Sequence, residues 1–357
     1  MSLLKSRDFG MFVILLLLVG GITFANPDAF LGPYNLHNLL RQISFLAIFS
    51  IGVTFVIITA GIDLSLGSLI AFCGVISAMT LDAMGRVFQS WTDAGYAPSF
   101  IETTNLFVAC IAVVVSGTLV GVYHGFIVAR FNIPPFVVTL GSMCILRSVA
   151  YLLTTAVPIP ILNERYNAMG NEGFLSIPSL TSPSHWFPAS GPATWWQWVP
   201  IPISFWFCIV VAVVCHVLLI STRFGRNVYA VGGNEQTAFL SGVSVFWTKI
   251  GAYALCGGLT AVSALLYSAY ERQGSPSTGM AYELNAIAAA VIGGCSLMGG
   301  SGSVLGTLIG ASIFSVIING INLIVQRNAS FWEGTIVGIV VVAAVTFNTI
   351  RGRRQQA

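Results

Sequence analysis

Long apolar runs alternate along the chain with short polar interruptions. The runs fall at about 9–26, 42–60, 66–84, 105–129, 134–156, 200–220, 248–270, 284–300, 303–325 and 332–350. Each approaches or exceeds the ~20 residues with which a helix crosses the ~30 Å hydrocarbon layer of a bilayer. A lone strand in lipid would leave its backbone N–H and C=O groups without partners, so every run is expected to be helical. The pattern predicts an all-α, polytopic transmembrane helical bundle of about ten spans, forming one domain over residues 1–357. The first run follows Lys5 and Arg7 but is longer than the apolar stretch of a secretion signal, and nine more runs follow it. It reads as a retained helix.

Charge sets the expected orientation. With the amino terminus in the cytoplasm, Lys5, Arg7, Arg130, Arg223, Arg226, Lys249, Arg351, Arg353 and Arg354 lie inside, and Arg41, Arg86, Arg165, Arg272 and Arg327 lie outside. Nine cations against five favour that arrangement, with both termini cytoplasmic. Two outer connections are longer than the rest, about 85–104 and 157–199. The second holds Pro158, Pro160, Pro178, Pro183, Pro188 and Pro192, too many prolines for a long helix. Trp186, Trp195, Trp196 and Trp198 gather at its end, as anchors at the headgroup level or as a surface for an extracytoplasmic partner.

Composition narrows the class. Only 8% of the 357 residues are charged and 56% are hydrophobic, which excludes a water-soluble globule. A net charge of +3 without a basic patch gives no reason to expect nucleic acid as a partner. The seven cysteines lie in apolar sequence and form no CxxC pair, and the four histidines are scattered, so no metal or other cofactor is assigned.

Glycine is over-represented, at 37 residues, and recurs at four-residue spacing: Gly117, Gly121 and Gly125 in one run, Gly302, Gly306 and Gly310 in another. On a helix this spacing clears one face for close approach of a neighbour, and packing is the reading preferred to room for a solute. Polar residues at membrane depth are the remaining candidates. Asp63 and Ser65, between the second and third runs, can cap the following helix, or Asp63 can serve as a charged partner or gate. Arg147, well inside the fifth run, needs a carboxylate, helix carbonyls or water. Asn319 and Asn322 in the ninth run join helices through their amides or hydrogen-bond a polyol. His124 and His216 read as hydrogen-bonded core residues rather than proton relays.

The connection over about 222–247 carries the most local information. Asn234 offers a cap for a short helix with Ala238, Phe239 and Val243 apolar on one side, stopping near Gly242. Two turns cannot stabilise themselves. The apolar side must rest on the membrane surface or in a groove of another protein.

Four segments, GIDLSLGS at 61, PPFVVTLGSMCILRS at 134, FGRNVYAVGGNEQTAFLSGV at 224 and AVIGGCSLMGGSGSVLGTLIGA at 290, together resemble the permease subunits of bacterial ATP-binding-cassette sugar importers of the ribose/xylose/galactoside type. The similarity runs from about 40 to 350, with the segments in family order. The resemblance implies a single permease domain in the bacterial inner membrane, paired with a second permease subunit. It also implies separate ATPase subunits and a periplasmic sugar-binding protein. The segment at 224–243 is then the coupling element seated on the ATPase, with Gly233, Asn234, Glu235, Ala238, Leu240, Ser241 and Gly242 as candidate contacts. The chain itself is not an enzyme on this reading: no GxxxxGK[ST] phosphate cradle occurs in it. Monosaccharide is the expected cargo, with a nucleoside, polyol or autoinducer-like sugar as the narrower alternative. A secondary carrier or passive channel is the alternative of another class, disfavoured because few acids line the runs.

Overall fold

The computed structural model describes residues 7–87, 98–178 and 198–325, with 332, 334–336, 338, 339, 342 and 346. The tenth apolar run, Arg327, the cations at both ends and Trp186, Trp195 and Trp196 lie outside the described residues or largely so. The helices are α1 (Arg7–Ala25), α2 (Pro27–Phe30), α3 (Pro33–Ile58), α4 (Leu66–Val87), α5 (Pro98–Phe131), α6 (Pro135–Thr154), α7 (Glu164–Asn171), α8 (Ile203–Ser221), α9 (Arg223–Gly233), α10 (Glu235–Leu240), α11 (Val245–Glu271), α12 (Tyr282–Ile292) and α13 (Val304–Val325). Among the described residues seven helices, α3, α4, α5, α6, α8, α11 and α13, are long and apolar enough to cross a bilayer. Residues 9–25 of α1 and all of α12 are apolar but shorter.

At the centre, α11 packs against α5, α3 and α4. Glycine makes the first of these contacts possible. A Cβ at Gly121 would lie 2.1 Å from the Tyr253 carbonyl oxygen, one at Gly125 2.5 Å from the Ile250 Cα, and one at Gly117 2.6 Å from the Gly257 carbonyl oxygen. The two backbones therefore touch directly, which side chains on this face of α5 would prevent. Gly306 and Gly310 do the same for α13 against α12, meeting Gly293 and Ala289. Gly302 differs from its sequence-based placement. It lies in the loop ahead of α13, against Cys295 and Ile58, because the helix begins only at Val304.

Two further differences follow from polar or glycine-rich sequence. Helix α3 starts at Pro33, well before the apolar run at 42, since Asn35, His37, Asn38 and Arg41 lower the hydropathy but remain helical. Their polar groups find partners in the fold: His37 Nδ1 is 2.6 Å from the Pro200 carbonyl, and Asn35 donates to the Phe30 carbonyl. The run at 284–300 is helical only to Ile292. Gly294, Gly299 and Gly300 adopt positive φ and turn the chain back through 293–303. Eleven residues give α12 about 16 Å of length, half of the hydrocarbon thickness. Irregular backbone at such depth is tolerated where protein covers it. Here Gly300 N–H donates to the Ile58 carbonyl and Ser296 N–H to that of Ser301.

Strands occur only in the connections among the described residues. β1 (Ile159–Pro160) pairs with β4 (Gln273–Gly274), and β2 (Gly173–Pro178) with β3 (Trp198–Pro202), both antiparallel. Each sheet has two strands, so every strand is an edge and proline is tolerated. Among its described residues the proline-rich connection holds α7, β1, β2 and the start of β3.

Candidate functional site

Three places collect the polar groups singled out in the sequence. The first is the turn between α9 and α10. Thr222 caps α9 by accepting from Gly225 N–H at 3.2 Å, and Asn234 caps α10 by accepting from Thr237 N–H at 2.8 Å. Gly242, at φ +81°, ends α10, with Val243 N–H returning to the Ala238 carbonyl. This is a left-handed stop that glycine adopts without strain.

Helix α9, read from sequence as loop, buries Gly225, Val228, Val231 and Gly232 on one face. Gly232 presses on the end of α3: a Cβ there would lie 1.6 Å from the Ile58 carbonyl oxygen. Tyr229 donates its hydroxyl to the Gly302 carbonyl at 2.7 Å. The apolar residues of α10 divide. Ala238 turns inward, whereas Phe239 and Leu240 are 69% and 78% exposed, and Trp247 nearby is 68% exposed. Glu235 is engaged within the chain, its carboxylate accepting from Lys249 Nζ at 2.7 and 2.8 Å. Gly233, Asn234, Ser241 and Gly242 are exposed on the same end of the bundle.

The second place is the buried link between α3 and α4. Asp63 Oδ1 accepts from Ser65 N–H at 2.9 Å and Ser65 Oγ–H at 2.6 Å, fixing the turn into α4. Its other oxygen faces His124 Nδ1 at 3.6 Å, with both side chains fully buried. Neither that oxygen nor either ring nitrogen of His124 makes a hydrogen bond to a described residue, so His124 is a core residue without the hydrogen bond expected of it. One Asp63 oxygen thus forms the turn into α4, and the other lies beside a buried imidazole. His124, 61 positions away, carried no local signal of that contact. A cavity of about 270 Å³, lined by Thr59, Gly61, Tyr253, Glu235 and Lys249, joins this link to the α9–α10 end.

The remaining candidates separate: Arg147 lies beside the segment that leads into α12, and the asparagines of the ninth run lie in the third place, at the other end of α3. Arg147 does not face a carboxylate at hydrogen-bond distance. It donates to the carbonyls of Pro276 and Thr278 at 2.7 and 2.6 Å, pinning the segment that leads into α12. Asn319 exchanges amide hydrogen bonds with Asn35 at 2.8 and 3.2 Å, joining α13 to α3. Asn322, in contrast, borders a cavity of about 300 Å³ that also receives Gln42, Asn285 and Ser315. Its aromatic wall is continuous: ring centroids are 5.4 Å apart for Phe45–Tyr267, 5.7 Å for Tyr267–Tyr282 and 6.4 Å for Phe49–Tyr282. The Arg41 guanidinium lies 3.9 Å from the Tyr270 ring centroid and donates to Asn38. Sequence reading found only Asn322 here, because the other residues come from α3, α11, α12 and an earlier turn of α13 and meet only in the fold. Among the described residues no group of three or more His, Cys, Asp and Glu side chains could hold a metal ion.

The arrangement places a polar, aromatic cavity at one end of α3 and the exposed apolar side chains of α10 at the other. Over 353 residues the chain is 34% identical to the ribose import permease protein of Haemophilus influenzae, covering 99% of this chain and 95% of that one. It is 35% identical over 333 residues to the ribose import permease protein of Escherichia coli, covering 93% and 91%. The galactose/methyl galactoside import permease protein of Escherichia coli is 32% identical over 366 residues, at full coverage of both chains (100% and 100%). No solved structure matches. The family model described as branched-chain amino acid transport system / permease component matches residues 35–345, and the chain belongs to that family.

Proposed function

We propose that the chain is the transmembrane subunit of an ATP-driven, binding-protein-dependent importer of a monosaccharide in the bacterial inner membrane. It works beside a second permease subunit and takes its energy from separate ATPase subunits. On this reading it has about ten spans, both termini are cytoplasmic, and 85–104 and 157–199 face outward. The carrying observation is the α9–α10 turn: Phe239 and Leu240 are exposed on a short element, beside the exposed Trp247 at the start of α11, and its neighbour α9 is locked to the end of α3 and to the 293–303 loop. A two-turn helix with outward apolar side chains gains stability from a partner's groove. The full-length similarity to ribose and galactoside import permeases supports sugar as cargo.

Helix α12 supports a mechanical route. Its first turn carries Tyr282 and Asn285 into the 300 Å³ cavity, and the loop after it touches Gly232 and Tyr229 of α9. Closure of two cassettes would move α9–α10 and, through α12, the cavity wall, as a rigid-body rearrangement of packed helices. Reconstitution in proteoliposomes tests the proposal. Accumulation of D-ribose or D-galactose that needs both the ATPase and the binding protein is expected. Gradient-driven accumulation by this chain alone rejects it.

A further inference from the structure

We infer that the cavity between α3, α11, α12 and α13 is a holding site for one uncharged sugar ring in transit, and that it discriminates against zwitterionic amino acids. The inference rests on the proposed function and assigns the place and the selectivity of the cargo within one subunit.

Size comes first. About 300 Å³ lies at the lower end of small-molecule pockets, which run from ~300 to ~1,000 Å³. One monosaccharide ring fits within it. The chemistry of the wall comes second. Gln42, Asn285, Ser315 and Asn322 come from three helices and make no side-chain hydrogen bond to another described residue. Amide and hydroxyl groups both donate and accept, which matches the mixed character of sugar hydroxyls. The aromatic wall of Phe45, Phe49, Tyr267 and Tyr282 offers flat apolar surface to the C–H face of a ring.

Charge decides between cargo classes. Arg41 is the one charged residue lining the cavity, and it is already committed to Asn38 and to the face of Tyr270. No carboxylate lines the wall. An amino acid entering this space would desolvate its ammonium group with no anion to receive it, a cost that a neutral sugar does not meet. Arg41 serves as a positioning residue, holding Tyr270 at the rim.

The test uses the full chain in lipid nanodiscs, with Asn322→Cys as the reporter and N-ethylmaleimide as the probe. The unsubstituted chain gives the background from its own cysteines, of which Cys144 is exposed. Millimolar D-ribose or D-galactose should slow alkylation of the introduced thiol about threefold or more, and L-leucine should leave it unchanged. Adding Asn285→Leu should weaken sugar protection by about 3- to 10-fold in concentration, the effect of one lost hydrogen bond. Gln42→Leu, at the exposed rim, is the second variant should the first not fold. Protection by L-leucine, absence of protection by either sugar, or protection unaffected by every folded wall variant overturns the inference. ATP-dependent uptake by the unsubstituted complex is read separately, so a failure of the importer reading is distinguishable from a failure of this site.

Discussion

Two adjacent glycines on α9 separate internal packing from external contact. Gly232 abuts the Ile58 carbonyl, whereas no atom lies within 4 Å of a Cβ built at Gly233. Gly232→Ala should therefore lower thermal stability, by about 1–3 kcal/mol as an overpacking change. Gly233→Trp should leave the fold intact and prevent co-purification of the ATPase. Normal assembly of Gly233→Trp with the ATPase would count against the docking edge. Glu235 calls for a different experiment because Lys249 already binds it. If Glu235 acts only inside the chain, the double exchange Glu235→Lys with Lys249→Glu should restore assembly that Glu235→Lys loses; if it touches the ATPase, the exchange should not. Deeper in the bundle, Asp63→Ala removes the acceptor of both Ser65 hydrogen bonds at the turn into α4, and a destabilisation of about 1–3 kcal/mol is expected from a melting curve in detergent. Arg147→Met should cost about 1.5–3 kcal/mol by releasing the carbonyls of Pro276 and Thr278. Unchanged melting with lost uptake would move Arg147 from the scaffold to the pathway.

Among the elements, the interface of α5 and α11 holds the bundle together through missing side chains. Gly121→Leu would drive a branched side chain into the Tyr253 carbonyl, so it should abolish folding rather than transport alone. Failure to recover monodisperse protein in detergent is the expected readout. The half-length α12 is the element that a reading of hydropathy misjudges. Its apolar sequence continues into Cys295 and Leu297, but positive φ at three glycines after Ile292 bends the chain, and a hydropathy window does not register backbone conformation. The α9 helix escaped for a related reason: its two terminal-looking glycines, Gly225 and Gly232, suggest a loop until they are seen to be contact points. The short helix α10, by contrast, was legible from Asn234 to Gly242, since its cap and its stop are local bonds.

For the whole molecule, the two ends differ in a way that fixes orientation experimentally. Phe239, on the α9–α10 end, and Leu162, in the proline-rich connection, are both strongly exposed. With Cys144→Ala as background, Phe239→Cys should react with a membrane-impermeant maleimide only in inverted vesicles, and Leu162→Cys only in right-side-out cells. The reverse pattern would refute the assignment of sides. Apolar run length, the deficit of charge and the local cap chemistry of 234–242 were sufficient to establish a helical membrane protein with a short capped helix at 235–240. Those are short-range properties, carried by each stretch of chain independently of its neighbours. The meeting of Asp63 with His124, the carbonyl partners of Arg147, the halt of α12 and the wall of the cavity between α3, α11, α12 and α13 were decided only by tertiary structure. Each depends on which helices approach at backbone contact, and that is set by glycine faces complementing one another across the bundle rather than by any pattern within one run.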